Sequence, residues 1–177
     1  MNMKKIIANL IRNLDMARVA RQAFVIAVVY AAITVGMSYL NLANPDYQLR
    51  ISEAMCVLPY FLPAAVPGLF FGCLVGNFLG GCAMLDVIFG SLATLVAAII
   101  TACIRKKSPW FAPLPAFIIN TIVVPILLPF CQASTFRISR IPIYMIRVGA
   151  GEFVSCFVLG MLLLIFIKKQ FQHNEWW

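Results

Sequence analysis

The stretch Arg50-Ile51-Ser52-Glu53-Ala54 places a cation, a hydroxyl and an anion at the start of an apolar segment, directly after a polar loop. Charges beside a membrane span are costly unless a partner or a ligand compensates them. The chain around this stretch is 63% hydrophobic and 11% charged, whereas soluble domains are about half apolar and about a quarter charged. We therefore predict an all-α integral membrane protein in which this stretch borders a binding site.

Working outward from Arg50, the apolar runs predict about six transmembrane helices. The predicted spans are Val19–Leu40, Ala54–Leu62, Gly68–Leu79, Asp86–Ile104, Ala116–Phe130 and Met145–Ile167. The second and third spans are too short to cross the membrane alone, and prolines interrupt the region, so we expect short or broken helices there. The chain divides into a basic amphipathic segment (1–18), one membrane domain (19–169) and a tail (170–177).

Basic residues orient the predicted bundle. The net charge of +8 comes from clusters at the chain ends and from Arg105-Lys106-Lys107, and such clusters mark the cytoplasmic side of a membrane protein. They do not indicate a nucleic-acid partner. Both termini are then cytoplasmic. Arg137, Arg140 and Arg147 fall on the outside, against this rule, and we interpret them as a cover over an external site.

Small residues recur every four positions on two spans. Ala23, Ala27 and Ala31 form a stripe on the first span, and four glycines from Gly68 to Gly80 leave one face of the third as bare backbone. Stripes of this kind let helix backbones approach closely. Two roles are open for the alanine stripe: packing inside the bundle, or docking onto a separate membrane subunit.

Polar candidates for binding concentrate in the outer half of the predicted bundle. They are Arg50, Ser52, Glu53, Asn77 and Asp86, with Asn120 and Glu152 nearer mid-depth and Tyr47 in the preceding loop. Some of these residues also have a purely structural alternative. Arg50 and Glu53 could pair with each other at i, i+3, and the helix dipole could stabilise the Asp86 carboxylate in the first turn of its helix.

Catalytic and metal motifs are not found in the sequence. The six cysteines form no Cys-x-x-Cys pair and are interpreted as small packing residues, and His173 is the only histidine. No metal site and no cofactor are expected. The motifs of hydrolases and of ATP-binding loops are missing too, so we predict a non-catalytic protein; a transporter built from it would use a gradient or a separate ATPase.

Several segments together resemble the QueT family, the substrate-binding (S) components of energy-coupling-factor (ECF) transporters linked to queuosine precursors. The resemblance extends from about Ala20 to Lys169. It is carried by Gln48–Ala54, Leu58–Phe61, Val66–Gly68, Gly72-Cys73, Asn77, Asp86–Thr94 and Gly151-Glu152.

This resemblance implies a six-helix S component in the bacterial cell membrane. Its partners would be a transmembrane coupling protein, which contacts the Ala23–Ala31 stripe, and two cytoplasmic ATPases. The implied ligand is a deazaguanine such as the pre-queuosine base or queuine, whose N–H donors suit Glu53, Asp86 and Glu152. Its carbonyl suits Asn77, and its flat ring suits an aromatic residue: Tyr47, Tyr60 or Phe78.

Other functions remain open from the residues alone. An S component for another vitamin-like molecule would have the same architecture. A structural or regulatory subunit would use the stripes and carboxylates only to hold a bundle together. A proton-coupled solute carrier would use Glu152 as its proton site.

Overall fold

A computed structural model describes residues 16–40, 49–131, 139 and 141–171, and this part of the chain forms helices and turns without a β-strand. The elements are α1 (Met16–Tyr39), a 3₁₀ helix (Ile51–Tyr60), α2 (Ala65–Leu79), a π-helical turn (Asp86–Gly90) that leads into α3 (Ser91–Cys103), a short 3₁₀ turn (Pro109–Phe111), α4 (Leu114–Cys131), α5 (Ile141–Glu152), a π-helical stretch (Phe153–Leu159) and α6 (Gly160–Phe171).

These elements make six membrane segments, as predicted. Four are long and apolar enough to cross a membrane: Met16–Tyr39, Asp86–Cys103, Pro109–Leu127 and Ile141–Gln170. The last is one continuous helix containing α5, the π-helical stretch and α6. The second and third segments are short, which confirms the all-α membrane fold with an irregular second segment.

The 3₁₀ helix lies at the centre of the bundle. Every residue from Ser52 to Pro59 is buried, and the helix packs against α1, α2, α3, α6 and the π-helical stretch. Runs of 3₁₀ helix rarely exceed four residues, but they rise about 2.0 Å per residue against 1.5 Å for an α-helix. Ten residues therefore reach about 20 Å, from Arg50 at one end to Tyr60 near the other.

The two ends of the bundle differ in chemistry. At the first end, which we name the Arg50 end, α1 and α2 finish and the 3₁₀ helix and the Asp86 turn begin. At the opposite end, the Tyr60 hydroxyl donates to the Lys107 carbonyl at 2.8 Å. The Thr101 hydroxyl donates to the Ala112 carbonyl at 3.3 Å. Consecutive segments are therefore antiparallel, and the basic run Arg105–Lys107 is exposed at the Tyr60 end.

The glycine face of α2 packs directly on α1. A Cβ atom at Gly68 would lie 2.9 Å from the Ala23 carbonyl, and one at Gly72 would lie 3.0 Å from the Ala27 Cα. At Gly76 it would lie 3.1 Å from the Ala31 Cα. Within this chain the alanine stripe thus serves internal packing. Both backbones approach closely because neither carries a large side chain at the contact.

The first prediction concerns this contact. Gly72→Ala places a Cβ within 3.0 Å of Ala27 and Tyr30, and overpacking of this kind costs about 1–3 kcal/mol. Gly36→Ala is the matched control, since nothing lies within 4 Å of its Cβ position. There alanine gains helix propensity, by up to about 1 kcal/mol. Unfolding in detergent should show Gly72→Ala destabilised and Gly36→Ala unchanged or stabilised. Equal effects would contradict the close approach.

Candidate functional site

Buried polar side chains from all six segments gather between the Arg50 end and the middle of the bundle. Those less than a tenth exposed are Thr34, Arg50, Ser52, Glu53, Asn77, Asp86, Ser91, Thr94, Asn120, Glu152 and Ser155. A buried polar group is costly unless it forms hydrogen bonds, and a buried charge is more costly still. The partners of these groups therefore show what the site can bind.

Arg50 and Asp86 form a buried ion pair. The guanidinium Nη2 lies 2.6 Å from Asp86 Oδ2, with the two side chains 9% and 12% exposed. Arg50 therefore pairs across the bundle with Asp86, and the hydrogen bonds of Glu53 come from other residues. The helix dipole alone does not explain Asp86, because this carboxylate also has a cationic partner on another segment.

Asn77 lies beside this ion pair. A Cβ atom at Gly90 would approach Asp86 Oδ1 to 3.0 Å and Asn77 Nδ2 to 3.6 Å, so the glycine leaves room for both polar groups. Asp86 Oδ1 is buried and accepts no hydrogen bond from the part of the chain that the structure describes. The ion pair therefore offers one vacant acceptor, next to an amide that can donate.

Glu53 is held by α1 and by its own helix. The Tyr30 hydroxyl donates to Glu53 Oε1 at 2.5 Å, and the Cys56 thiol donates to Oε2 at 3.0 Å. One turn further along α1, the Thr34 hydroxyl donates to the Tyr30 carbonyl and accepts from the Ser52 hydroxyl, each at 2.9 Å. Both carboxylate oxygens thus have a fixed direction, since each accepts a hydrogen bond from a buried side chain.

Glu152 completes a second carboxylate position. The Cys156 thiol donates to Glu152 Oε2 at 3.2 Å, and Asn120 on α4 hydrogen-bonds to the same carboxylate. One ligand atom from each of Glu53, Glu152 and Cys156 lies within 4.8 Å of the others. We name these three residues the Glu53–Glu152 cluster. Because Asn120 Oδ1 has no partner, the cluster adjoins a vacant acceptor.

Two carboxylates of the site, Asp86 and Glu152, lie at π-helical segments. Asp86 begins the first π-helical turn, and Glu152 immediately precedes the second. A π-helical turn contains one residue more than an α-helical turn, and this shifts side chains away from their regular helical positions. Such turns occur often at functional sites. The Ser91 hydroxyl donates to the Val87 carbonyl at 2.5 Å, which satisfies part of the first widened turn.

The cysteines do more than fill space. Cys56, Cys73 and Cys156 are buried, as the packing interpretation requires. Cys56 and Cys156 also donate to carboxylates, while Cys73 Sγ accepts from Asn77 Nδ2 at 3.4 Å and shares a hydrogen bond of 3.5 Å with Thr94 Oγ1. The packing interpretation is therefore confirmed for these three, which pack in the core and also hydrogen-bond to polar groups.

Two of the three aromatic candidates lie away from the site. The Tyr60 hydroxyl bonds at the opposite end of the bundle, and Phe78 is 60% exposed on the outer surface. Tyr30 is instead the aromatic residue that contacts the site. Tyr47, Arg137 and Arg140 lie outside the described residues, and Arg147 is exposed.

Sequence reasoning missed Tyr30, Thr34, Cys56, Thr94, Ser155 and Cys156. Tyr30 and Thr34 are one turn apart on α1, so they share a face, and this polar pair in an apolar span was a usable signal. The remaining residues look like ordinary packing residues in the sequence, and only the fold places Cys56 and Cys156 beside a carboxylate.

Comparison with known proteins identifies one family. The model of the family described as QueT transporter matches residues 19–169, which include every described residue of the site. No curated protein and no solved structure gives a match.

The second prediction tests the Arg50–Asp86 pair by a double-mutant cycle. Arg50→Met leaves the Asp86 carboxylate buried without a cation, and loss of one partner in a buried pair costs about 3–5 kcal/mol. Asp86→Leu should cost a similar amount. The double variant should lose much less stability than the sum of the two single losses, because no isolated charge remains buried. Unfolding in detergent measures each variant, and Arg105→Met, at an exposed site, is the control. Additive losses would contradict the pairing.

Proposed function

This chain belongs to the QueT transporter family, and we propose that it is the S component of an ECF-type transporter that takes up a queuosine precursor. The observation that supports this most is the set of vacant acceptors beside fixed carboxylates. Asp86 Oδ1 and Asn120 Oδ1 are buried without partners among the described residues, in a bundle where each unpaired polar group costs about 1–3 kcal/mol. A ligand rich in N–H donors removes that cost.

A deazaguanine has this donor pattern. Its pyrimidine edge presents adjacent N–H groups, and one carboxylate can accept two of them in a bidentate, charge-assisted arrangement. Glu53 and Glu152 both supply such oxygens at the centre of the bundle. Because Tyr30 and Cys56 already orient Glu53, little side-chain entropy is lost when it binds the base.

The remaining edges of the base have counterparts nearby. The ring carbonyl takes a hydrogen bond from the Asn77 or Asn120 amide. An aminomethyl arm, where the precursor has one, is cationic and pairs with the carboxylate that does not bind the pyrimidine edge. Tyr30 offers an aromatic ring beside Glu53, and contact between a base and an aromatic side chain contributes about 1–3 kcal/mol.

Energy and partners come from outside this chain in our proposal. The chain lies in the bacterial cell membrane with both termini in the cytoplasm. A transmembrane coupling protein and two cytoplasmic ATPases drive transport. The coupling protein docks along α1, where Ala23 and Ala27 stay half-buried against α2 and Phe24, Val25 and Val28 are exposed beside them.

The third prediction concerns affinity. Glu53→Gln and Glu152→Gln should each weaken binding of the pre-queuosine base, because each replaces a carboxylate that accepts hydrogen bonds from the ligand. A hydrogen bond to a charged group is worth about 1.5–3 kcal/mol, so we expect about a 10- to 150-fold rise in Kd. Titration calorimetry of the purified protein in detergent measures it.

Glu175→Gln, beyond the segment that matches the family, is the control for the affinity experiment. Melting temperatures of all variants show whether they stay folded. If both site variants are folded and bind like the parent, the proposed pocket is wrong. Mass spectrometry of small molecules that copurify with the protein tests the substrate separately: a vitamin in place of a deazaguanine keeps the transporter class and overturns the ligand.

The fourth prediction separates the ECF mechanism from a proton-coupled carrier that uses Glu152. In cells expressing this chain with the coupling protein and ATPases, uptake of labelled pre-queuosine base should stop when ATP is depleted. It should persist when an uncoupler dissipates the proton gradient and ATP is maintained. Uptake that fails with the uncoupler, or that needs no partner subunit, supports the proton-coupled carrier.

A further inference from the structure

We propose that the Glu53–Glu152 cluster is also a site for one thiophilic divalent cation, of the class of Zn²⁺. Its donors come from three elements: Glu53 from the 3₁₀ helix, Glu152 from α5 and Cys156 from the π-helical stretch. All three are buried, and one ligand atom from each lies within 4.8 Å of the others. The proposal does not depend on the identity of the transported molecule.

Buried charge is the first argument for a cation. Among the described residues, Arg50 is the only buried basic side chain, and Asp86 pairs with it. Among the described residues, Glu53 and Glu152 have hydroxyl, thiol and amide neighbours and form no ion pair of their own. The Arg50 charge also acts on Glu152, but the direct partner of Arg50 is Asp86. Two carboxylates this close repel each other when both are ionised, and a bound dication neutralises both.

The donor types select the class of metal. Mg²⁺ and Ca²⁺ bind almost entirely to oxygen atoms in sites of six or more ligands. Zn²⁺ accepts mixed carboxylate and thiolate ligands in four-coordinate sites. Neighbouring sulfur and oxygen ligands of a tetrahedral zinc site lie about 3.6 Å apart, from the usual metal–ligand distances. The Cys156–Glu152 separation of 3.2 Å needs only a small adjustment to reach that value.

A second, independent observation points to a missing ligand at the same place. Asn120 is 2% exposed and its side chain interacts with Glu152, yet no group among the described residues contacts its Oδ1 atom. A carbonyl oxygen beside the cluster is a fourth donor for a metal. The outer contacts are also present, since Tyr30 and Cys56 hold Glu53 by hydrogen bonds, and such supporting contacts raise metal affinity about 10- to 100-fold.

Metal binding changes the protonation of one group. The Cys156 thiol loses its proton to solvent as the sulfur–metal bond forms, while Glu53 and Glu152 bind as carboxylates. Because the metal and a deazaguanine use the same carboxylates, they compete, and an excess of the metal should weaken binding of the base.

The fifth prediction uses Co²⁺ as a spectroscopic substitute for Zn²⁺. Full-length protein from medium supplemented with cobalt, purified in detergent, should contain about one cobalt per chain by elemental analysis. It should show an ultraviolet sulfur-to-cobalt charge-transfer band and the visible bands of four-coordinate cobalt. Cys156→Ser should lose the charge-transfer band, and Glu152→Gln should weaken metal retention at least about tenfold. Cys103→Ser, at an exposed cysteine, should behave like the parent.

Melting temperatures show that the compared proteins are folded. Folded parent protein without cobalt, or with a charge-transfer band that persists in folded Cys156→Ser, overturns the metal site. Binding of the pre-queuosine base to metal-free protein is measured in parallel. Its failure counts against the proposed substrate, whereas absence of cobalt from protein that binds the base counts against the metal site alone.

Discussion

The hydrogen bond from Tyr30 to Glu53 depends on how closely α1 approaches the centre of the bundle. A carboxylate buried among apolar helices needs donors, and α1 supplies one only because the glycine face of α2 lets the two backbones meet. Tyr30 Cβ would lie 2.8 Å from a Cβ atom at Gly72. The close packing of small residues on α1 and α2 therefore makes the hydrogen bond to Glu53 possible.

The 3₁₀ helix also serves to place polar groups inside an apolar bundle. Its steeper rise lets ten residues connect the Arg50 end with the Lys107 carbonyl, while Ser52 and Glu53 stay beside hydrogen-bonding partners on α1. An α-helix of the same ten residues would be about 5 Å shorter. The 3₁₀ helix, whose sequence is too short to cross a membrane alone and contains proline, is the element around which the other segments pack.

Much of the fold could be predicted from the sequence, because apolar runs and charge clusters directly reflect membrane thickness and sidedness. The six segments and the irregular second segment follow from them. The polar residues that converge were also predictable, since an ionisable residue in a span is unusual. Their partners were not. Arg50 is three residues from Glu53 but pairs with Asp86, because the choice depends on how the segments pack in three dimensions.

The same limit applies to the aromatic and cysteine residues. Tyr60 and Phe78 are close to Glu53 or Asp86 in sequence, but the first lies at the other end of the bundle and the second faces outward. Tyr30 is more than twenty residues from Glu53 and donates to it. Cys56 and Cys156 have the size of packing residues, and only their position beside a carboxylate reveals that they donate.

The unpaired acceptors bear on which kind of transport this site supports. A proton-coupled carrier needs one carboxylate that gains and loses a proton, and protonation of Glu152 leaves Asp86 Oδ1 and Asn120 Oδ1 as they are. Those two atoms lie on different segments, and no group among the described residues donates to either. A planar molecule with several N–H groups can satisfy more than one acceptor at once, and this supports our proposal of a polar heterocycle as the ligand over the passage of protons.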